Sequence, residues 1–332
     1  MFLTVLKDFV SSFYPSKGRV HTRYFNLDPG LVEKYVPPWF LKSPLVQMIV
    51  HQYWGIPKVE YKKEYIWFDD GVPCRLDTVL CNGSSVGTIV VFHGFGGSSK
   101  SSYCKHIVRE FSGTHNVIVF NRRAHVPESF SWHPPTHFDK DDIEMATAYI
   151  KNKYGQEDRP IYAFGVSGGS NHLLRHVAES GNKCIFTKVM ACGNGWNFDV
   201  ATRYVKSLMM NKMLCSFGEA IYANVLAGER VFGYEDFRKQ EEAIHGQHKI
   251  KEYYKSVSAI HKIKDITVPT LCLDSIDDPI YHYPFENLYG QNSNISFIYT
   301  SHGGHIAWIE SLWPFNVYYT KVLRRWIDDQ PI

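Results

Sequence analysis

The sequence predicts one α/β domain whose central sheet is mainly parallel and is covered by helices on both faces. Three observations lead to this fold class. From Thr88 onward, short apolar runs rich in β-branched and aromatic residues alternate with segments of helical periodicity, as in βαβ units. Before Thr88, two strand candidates are separated only by the turn Asp69-Asp70-Gly71, so the sheet is expected to start antiparallel. Finally, 332 residues with 44% apolar composition suffice for one well-filled core.

The predicted elements follow in chain order. Strands are expected at residues 65–68, 78–81, 88–93, 116–121, 160–165, 185–192, 268–274 and 295–300. Helices are expected at residues 101–111, 139–153, 170–179, 283–289 and 315–327. Roughly 75 residues separate Cys192 from Val268, which is too many for a simple crossover. We therefore predict a helical lid insertion at residues 199–262, a core formed by residues 61–198 and 263–332, and an N-terminal segment of residues 1–60 packed on that core.

Charge and cysteine content exclude several classes of protein. The formal net charge is +3 and the basic residues form no cluster, so nucleic acid is not an expected partner. The seven cysteines are scattered and odd in number, which favours reduced thiols and a cytoplasmic location. No apolar run approaches the roughly 20 residues of a membrane-spanning helix, and no signal peptide is recognisable. The oligomeric state stays open.

The first 13 residues carry apolar side chains near helical spacing. These are Phe2, Val5, Leu6, Phe9 and Phe13, with charged residues between them. Two interpretations fit this pattern: the segment packs on its own domain, or it makes a peripheral contact with a membrane surface.

The nucleophile candidate is Ser167. The stretch from Ile161 to Asn171 is a predicted strand that runs into G-x-S-x-G and then into a helix. A nucleophile elbow needs this context, because the serine sits on a strained turn and the flanking glycines keep Cβ atoms out of its crowded surroundings. An ordinary glycine turn is the alternative.

Serine needs a base to take its proton and an acid to orient that base, and in this kind of site both follow it in the chain. Asp277 and Asp278 follow one predicted strand, and His302 and His305 follow the next. We choose Asp278, because it directly precedes Pro279-Ile280, and His305, because two glycines allow a tight approach. Asp277 and His302 remain the alternatives. A helix is expected to start at residues 306–308. No zinc-binding pair of histidines is present, so neither a metal nor an organic cofactor is expected.

The oxyanion hole is expected at His93-Gly94-Phe95-Gly96-Gly97, which ends the strongest predicted strand. Two backbone N–H groups must face the developing negative oxygen; we assign them to Phe95 and Gly168. The same stretch nearly matches a nucleotide-binding P-loop, but serine stands at position 99 where that motif needs glycine. Nucleotide binding is therefore disfavoured, although the start of the next helix could hold an anion.

Taken together, these motifs resemble the type 4 family of AB hydrolases, from about Val36 to the C-terminus. The resemblance rests on the following stretches: Pro37-Pro-Trp-Phe-Leu-Lys-Ser-Pro44, His93-Gly-Phe-Gly-Gly-Ser-Ser99, Asn121-Arg-Arg123, Gly165-Val-Ser-Gly-Gly-Ser-Asn171, Tyr253-Tyr-Lys-Ser-Val-Ser258, Asp277-Asp-Pro279 and His302-Gly-Gly-His305. The family includes ABHD-type acylglycerol lipases and phospholipases, bacterial esterases, and yeast enzymes that make and cleave medium-chain ethyl esters.

The resemblance implies the α/β-hydrolase fold and a serine hydrolase with nucleophile Ser167, acid Asp278 and base His305. This sequence departs from the family pattern at Gly168-Gly169-Ser170, where the small residues are shifted by one, and at Ala124, where the family has glycine. Membrane-anchored members also begin with a transmembrane helix, which is not recognisable here.

The expected function is hydrolysis of acyl esters, with a medium-chain or acylglycerol-like lipid as substrate. Two alternatives use the same fold: an alcohol O-acyltransferase with the same three residues, and a catalytically silent binding protein. In the insertion, apolar residues from position 208 to 225 follow helical spacing. Because flexible methionines suit a wall against an acyl chain, we predict that Met209 and Met213 bind the substrate. Ordinary core packing is the alternative.

Overall fold

A computed structural model describes residues 22–328, apart from residues 31, 128–139, 156–157, 206–207, 223–232, 282–287 and 289. The strands are β1 (Thr22–Phe25), β2 (Lys62–Trp67), β3 (Pro73–Val79), β4 (Thr88–Phe92), β5 (Asn116–Asn121), β6 (Ile161–Val166), β7 (Lys188–Cys192), β8 (Thr270–Ser275), β9 (Ile295–Thr300), β10 (Ile309–Leu312) and β11 (Phe315–Val317). The α-helices are α1 (Pro44–Tyr53), α2 (Ser102–Phe111), α3 (Lys140–Tyr154), α4 (Gly168–Ser180), α5 (Phe198–Tyr204), α6 (Leu208–Tyr222), α7 (Phe237–His245), α8 (Ile250–Val257) and α9 (Tyr318–Asp328).

The central sheet has the strand order β1-β9-β8-β7-β6-β4-β5-β3-β2 among the described residues. Strands β4 to β9 pair in parallel, whereas β3 pairs antiparallel with β5, and β2 with β3, at one edge. Every residue of β4, β7, β8 and β9 is buried, as expected for parallel strands covered on both faces. The predicted mainly parallel sheet with an antiparallel start is confirmed.

Side chains from the two faces of the sheet form two large apolar clusters. One contains Val90, Phe120 and Leu173, and the other contains Val91, Phe164 and Val322. Because alternate residues of one strand point to opposite faces, Val90 and Val91 enter different clusters. The sheet is thereby fixed between two helical layers, and the carboxyl ends of its parallel strands share one edge.

Three elements were not expected from the sequence. The short strand β1 pairs antiparallel with β9, with Thr22 opposite Thr300. Helix α1 starts at an N-cap, Ser43, whose hydroxyl accepts from the backbone N–H of Val46. The second strand of the hairpin β10–β11 occupies residues 315–317, the start of the helix expected at residues 315–327, and α9 therefore begins at Tyr318.

The predicted helix at residues 306–308 is wrong. Ile306 and Trp308 both have positive φ, +62° and +41°, which a right-handed helix cannot contain. Trp308 is held by a hydrogen bond from its indole Nε1 to Thr300 Oγ1 at 2.8 Å, so the chain turns directly into β10.

The segment between β7 and β8 contains α5, α6, α7 and α8, followed by the 3₁₀ helix Ala259–Asp265. This helical content matches the expectation for residues 199–262, while the domain boundaries themselves stay a prediction. Two other expected helices, residues 1–13 and 283–289, fall outside the described residues, except for residue 288. Among the helices that the structure describes, none is long and apolar enough to span a membrane.

Candidate active site

Ser167 lies in the sharp turn between β6 and α4. Its backbone has φ +55° and ψ −126°, a conformation that costs a non-glycine residue free energy and marks a constrained turn. A Cβ atom on Gly165 would lie 2.6 Å from Ser170 Cα, and one on Gly169 would lie 2.3 Å from the carbonyl oxygens of Phe92 and His93. Both flanking glycines are therefore sterically required, because α4 packs directly against β4 and β6.

His305 and Asp278 complete a hydrogen-bonded chain that starts at the serine. His305 Nε2 lies 2.8 Å from Ser167 Oγ, and His305 Nδ1 lies 2.7 Å from Asp278 Oδ2. The other carboxylate oxygen, Asp278 Oδ1, accepts from the backbone N–H groups of Ile280 at 2.7 Å and Tyr281 at 3.0 Å. With its carboxylate saturated by donors, Asp278 is suited to orient an Nδ1–H tautomer of His305.

The alternative residues, Asp277 and His302, face each other rather than the serine. Asp277 Oδ1 accepts from the backbone N–H of Gly304 at 2.8 Å, and Asp277 Oδ2 lies 3.5 Å from His302 Nδ1. This second pair ties the Asp277 turn to the loop that carries His305. The geometry thus favours Asp278 and His305 for the chain that reaches Ser167.

The loop after β4 brings Phe95 next to the elbow. A Cβ atom on Gly94 would lie 3.1 Å from Ser167 Cβ, so glycine allows this close approach. The N–H of Gly94 donates to the hydroxyl of Tyr103 at 3.0 Å. Phe95 and Gly168 line one small cavity of about 30 Å³, and Gly168 opens α4, whose N-terminal dipole favours negative charge. The two residues predicted as oxyanion donors are therefore brought together.

Comparison with known proteins gives the same fold. A model of the "alpha/beta hydrolase fold" family matches residues 87–186, which include the Phe95 loop and Ser167. The chain has the α/β-hydrolase fold. It is 27% identical to human phospholipase ABHD3 over 331 residues, which cover 90% of this chain and 80% of that protein. It is 24% identical to monoacylglycerol lipase ABHD2 of Danio rerio, covering 85% and 74% respectively.

A solved structure supports the fold independently. An esterase of Pyrococcus furiosus superposes with a TM-score of 0.51 at 16% identity, covering 76% of this chain and 89% of that chain. The predicted fold and the resemblance to AB hydrolases are confirmed, and the prediction of a serine hydrolase agrees with relatives named as lipases and phospholipases. None of these names supports the acyltransferase alternative.

A buried arginine next to the Phe95 loop was not expected from the sequence. Arg122 follows β5, and its guanidinium donates to the carbonyl oxygens of His93 at 3.2 Å and Gly94 at 3.0 Å. Burial lowers the pKa of Arg122 to about 10, which leaves the group charged near neutral pH. Arg122 therefore fixes the peptide units that precede Phe95 and brings a positive charge close to them.

A second set of buried polar groups holds the far end of the same loop. Ser99 donates through its backbone N–H to Asn121 Oδ1 at 2.8 Å and through its hydroxyl to Asp77. Asp77 in turn accepts two hydrogen bonds from Arg75, each 2.8 Å long. Ser99 stands where a P-loop has glycine, and here both of its polar groups bond within the protein.

Two further residues beside the proposed triad were missed. Asp274 is the next-to-last residue of β8, and its Oδ1 accepts from the backbone N–H of Asn194 at 2.8 Å. Burial, with a smaller contribution from the Asp278 charge, raises the pKa of Asp274 to about 7. The ring of Tyr281 packs edge-on against His305 with centroids 5.2 Å apart, and its hydroxyl shares a hydrogen bond with Ser167. A single sequence shows no pattern that would mark either contact.

Ser167 and His305 open into an apolar cavity of about 480 Å³, within the range of small-molecule sites. Helix α6 contributes Met209, Met213 and Phe217 to one wall, so both methionines predicted to bind substrate line the cavity. The other wall comes from α1, which sequence reasoning had not assigned to the site. Its lining residues are Leu45, Met48, Ile49, His51, Gln52 and Tyr53.

Proposed function

We propose that this chain is a serine hydrolase that cleaves carboxylic esters of lipids through Ser167, His305 and Asp278. The observation that carries the proposal is the hydrogen-bonded chain of these three side chains at the foot of an apolar cavity. Such a chain activates a serine that is otherwise a weak nucleophile, and the cavity offers an acyl group an apolar environment.

The reaction begins when Ser167 Oγ attacks the ester carbonyl and passes its proton to His305 Nε2. The carbonyl oxygen becomes negative in the tetrahedral intermediate, where the N–H groups of Phe95 and Gly168 stabilise it. Asp278 stabilises the imidazolium that forms. His305 then donates the proton to the leaving alcohol, and the C–O bond breaks to leave an acyl-enzyme on Ser167.

Water completes the cycle. It attacks the acyl carbonyl while His305 takes one of its protons, and the second tetrahedral intermediate collapses to the free acid. The proton returns to Ser167 Oγ, so the enzyme is regenerated with no net change. No step in this sequence requires a metal or an organic cofactor.

The proposed substrates are medium-chain or acylglycerol-like esters. Two observations support this class: the cavity is lined by methionine and leucine side chains, and two relatives are named as a phospholipase and a monoacylglycerol lipase. We further propose that the helices between residues 199 and 262 act as a lid over the cavity, because Met209 and Met213 of α6 line it.

The test is hydrolysis by purified protein of p-nitrophenyl esters from acetyl to dodecanoyl, together with monoacylglycerols, diacylglycerols and phospholipids. We expect turnover of at least one lipid ester and covalent labelling of Ser167 by a fluorophosphonate. Labelling without turnover of any ester would refute the proposed substrate class, and absence of both would refute the proposed chemistry.

A further inference from the structure

Exposed apolar side chains concentrate around α1. Thirteen large apolar side chains of the described residues are exposed, and six of them fall within a 19-residue stretch that runs from before α1 to just after it: Val36, Trp39, Phe40, Ile49, Tyr53 and Trp54. Trp39 is 81% exposed, Tyr53 78%, and Trp313 from the β10–β11 turn 75%. We call these six residues and Trp313 the aromatic rim. Lone exposed apolar residues need no explanation, but a cluster marks an interaction surface.

The rim runs along the whole of α1. Trp39 and Phe40 precede the helix with their ring centroids 5.5 Å apart, and Trp54 follows it with its ring 5.1 Å from that of Trp313. A helix of ten residues is about 15 Å long, so aromatic pairs stand at both ends of a contiguous segment.

Helix α1 connects the rim to the cavity. Val46 and Val50 pack on the core, and the stripe that includes Ile49 and Tyr53 lines the cavity instead. Ile49 and Tyr53 are also 50% and 78% exposed, so they belong to the rim and to the cavity wall at once. The rim is therefore continuous with the cavity wall at these two residues.

The charges of this segment favour a lipid surface. From Tyr35 to Val59 the sequence has no acidic residue and has two lysines, Lys42 and Lys58. Tryptophan and tyrosine are enriched where proteins meet the bilayer interface, and lysines are attracted to anionic lipids. A protein docked on the rim would cover Ile49 and Tyr53 of the cavity wall, whereas a bilayer would bring lipid esters to these residues.

We propose that the aromatic rim docks on a phospholipid bilayer and that acyl esters pass from that surface into the cavity between α1 and α6. The nature of the ester rests on the proposed function; the docking does not require catalysis.

The test compares two double variants of the full chain. Trp39→Ser with Trp313→Ser alters the rim at positions that do not line the cavity. Trp67→Ser with Leu80→Ser removes two other exposed apolar side chains, from β2 and from the end of β3. Binding is measured by co-sedimentation with vesicles of phosphatidylcholine, with and without 20% phosphatidylserine (roughly the anionic content that attracts basic segments). Hydrolysis of a water-soluble butyryl ester reports whether each variant is folded.

We expect the rim variant to partition onto vesicles at least about tenfold more weakly than the unaltered chain, with the control variant unchanged. Soluble-ester hydrolysis should stay within about twofold in both variants, and hydrolysis of vesicle-borne ester should fall only in the rim variant. Anionic lipid should strengthen binding up to about fivefold per lysine and salt should reverse this gain.

Failure of the unaltered chain to bind vesicles would overturn the proposal, as would equal losses in the two variants. A concentration-dependent dimer that only the rim variant disrupts, without vesicle binding, would overturn it in favour of a second copy as occupant. Rim-dependent binding without hydrolysis of any ester would leave the docking surface standing and refute the proposed function alone.

Discussion

Replacing Asp278 by asparagine tests the proposed triad sharply, because Asp277 in the same loop provides a matched control. All three close neighbours of the Asp278 carboxylate are N–H groups: His305 at 2.7 Å, Ile280 at 2.7 Å and Tyr281 at 3.0 Å. An ionised carboxylate has acceptors for all of them. Asparagine has one acceptor oxygen and one donor group. Either His305 or the N–H groups of Ile280 and Tyr281 must therefore lose their acceptor.

Both orientations of the new amide are unfavourable. If its nitrogen faces His305, Nδ1 must become the acceptor, and the ring proton moves to Nε2, which can then no longer take the proton of Ser167. If its nitrogen faces Ile280 and Tyr281, two buried N–H groups lose their acceptor, at about 1–3 kcal/mol each. The first orientation therefore prevails, and we expect kcat to fall about 10⁴-fold, as when a triad imidazole is held in the wrong tautomer.

Asp277→Asn should cost less than about tenfold in kcat, since an amide oxygen can still accept the hydrogen bond from Gly304 and no triad atom depends on Asp277. The assay is steady-state hydrolysis of p-nitrophenyl butyrate, with thermal unfolding to show that both variants fold. The reasoning is refuted if Asp277→Asn lowers kcat as much as Asp278→Asn, or if Asp278→Asn keeps more than about a tenth of the activity.

Four further outcomes follow from the geometry. Ser167→Ala should abolish fluorophosphonate labelling and lower turnover by at least about 10⁴-fold; a labelled variant would contradict the elbow assignment. Arg122→Gln should lower kcat about 100-fold with little change in KM, and Arg122→Lys should restore part of it; an effect confined to KM would argue against a role in positioning Phe95. The pKa of Asp274 is about 7 in the folded protein against an ordinary value of 3.8. Below about pH 4 the carboxyl is protonated in both the folded and the unfolded state, so it does not affect the pH dependence of stability. Between about pH 4 and pH 7 only the unfolded state loses this proton readily, so the free energy of unfolding falls as the pH rises. Urea unfolding should therefore show Asp274→Asn gaining up to about 4 kcal/mol relative to the unaltered chain between pH 4 and pH 8, and a constant difference would exclude this titration. Across p-nitrophenyl esters, kcat/KM should rise from acetyl to about octanoyl, because enclosing four methylenes stabilises the bound acyl chain by up to roughly 3 kcal/mol. Replacing Met209 or Met213 by serine should flatten this rise. A preference for acetyl esters that survives both substitutions would show that α6 does not line the acyl site.

That the three residues of the proposed triad lie together could be predicted, because their placement depends on strand order and residue type. Ser167, Asp278 and His305 each follow a strand of the parallel sheet, and the carboxyl ends of such strands share an edge. The glycines flanking Ser167 have a steric reason that can be inferred from sequence, since a helix must leave the turn at once. The choice between neighbouring aspartates used only the following proline, and hydrogen bonds now give it a physical basis.

The cavity wall formed by α1 and the residues that hold the loops of the site could not be predicted, because they depend on contacts between distant segments. Helix α1 is apolar on more than one side, since one stripe packs on the core and another lines the cavity, so its sequence resembles any buried helix. The sequence of Ile306–Trp308 is typical of a helix start, but Ile306 and Trp308 both adopt positive φ, which excludes a right-handed helix there. Arg122 looks like an ordinary loop cation until the fold shows which carbonyl groups it reaches.

The charged side chains around His305 and the Phe95 loop match the charges that develop in the proposed reaction. Asp278 lies on the side of the imidazole, where positive charge develops, and Arg122 lies under the loop of Phe95, where negative charge develops. Burying such charges costs several kcal/mol of desolvation, which their hydrogen bonds offset. These groups are fixed before substrate arrives and therefore need no reorganisation as charges separate. Neutralising Arg122 should thus lower kcat even where the variant stays folded, whereas neutralising Asp274 should act mainly on stability.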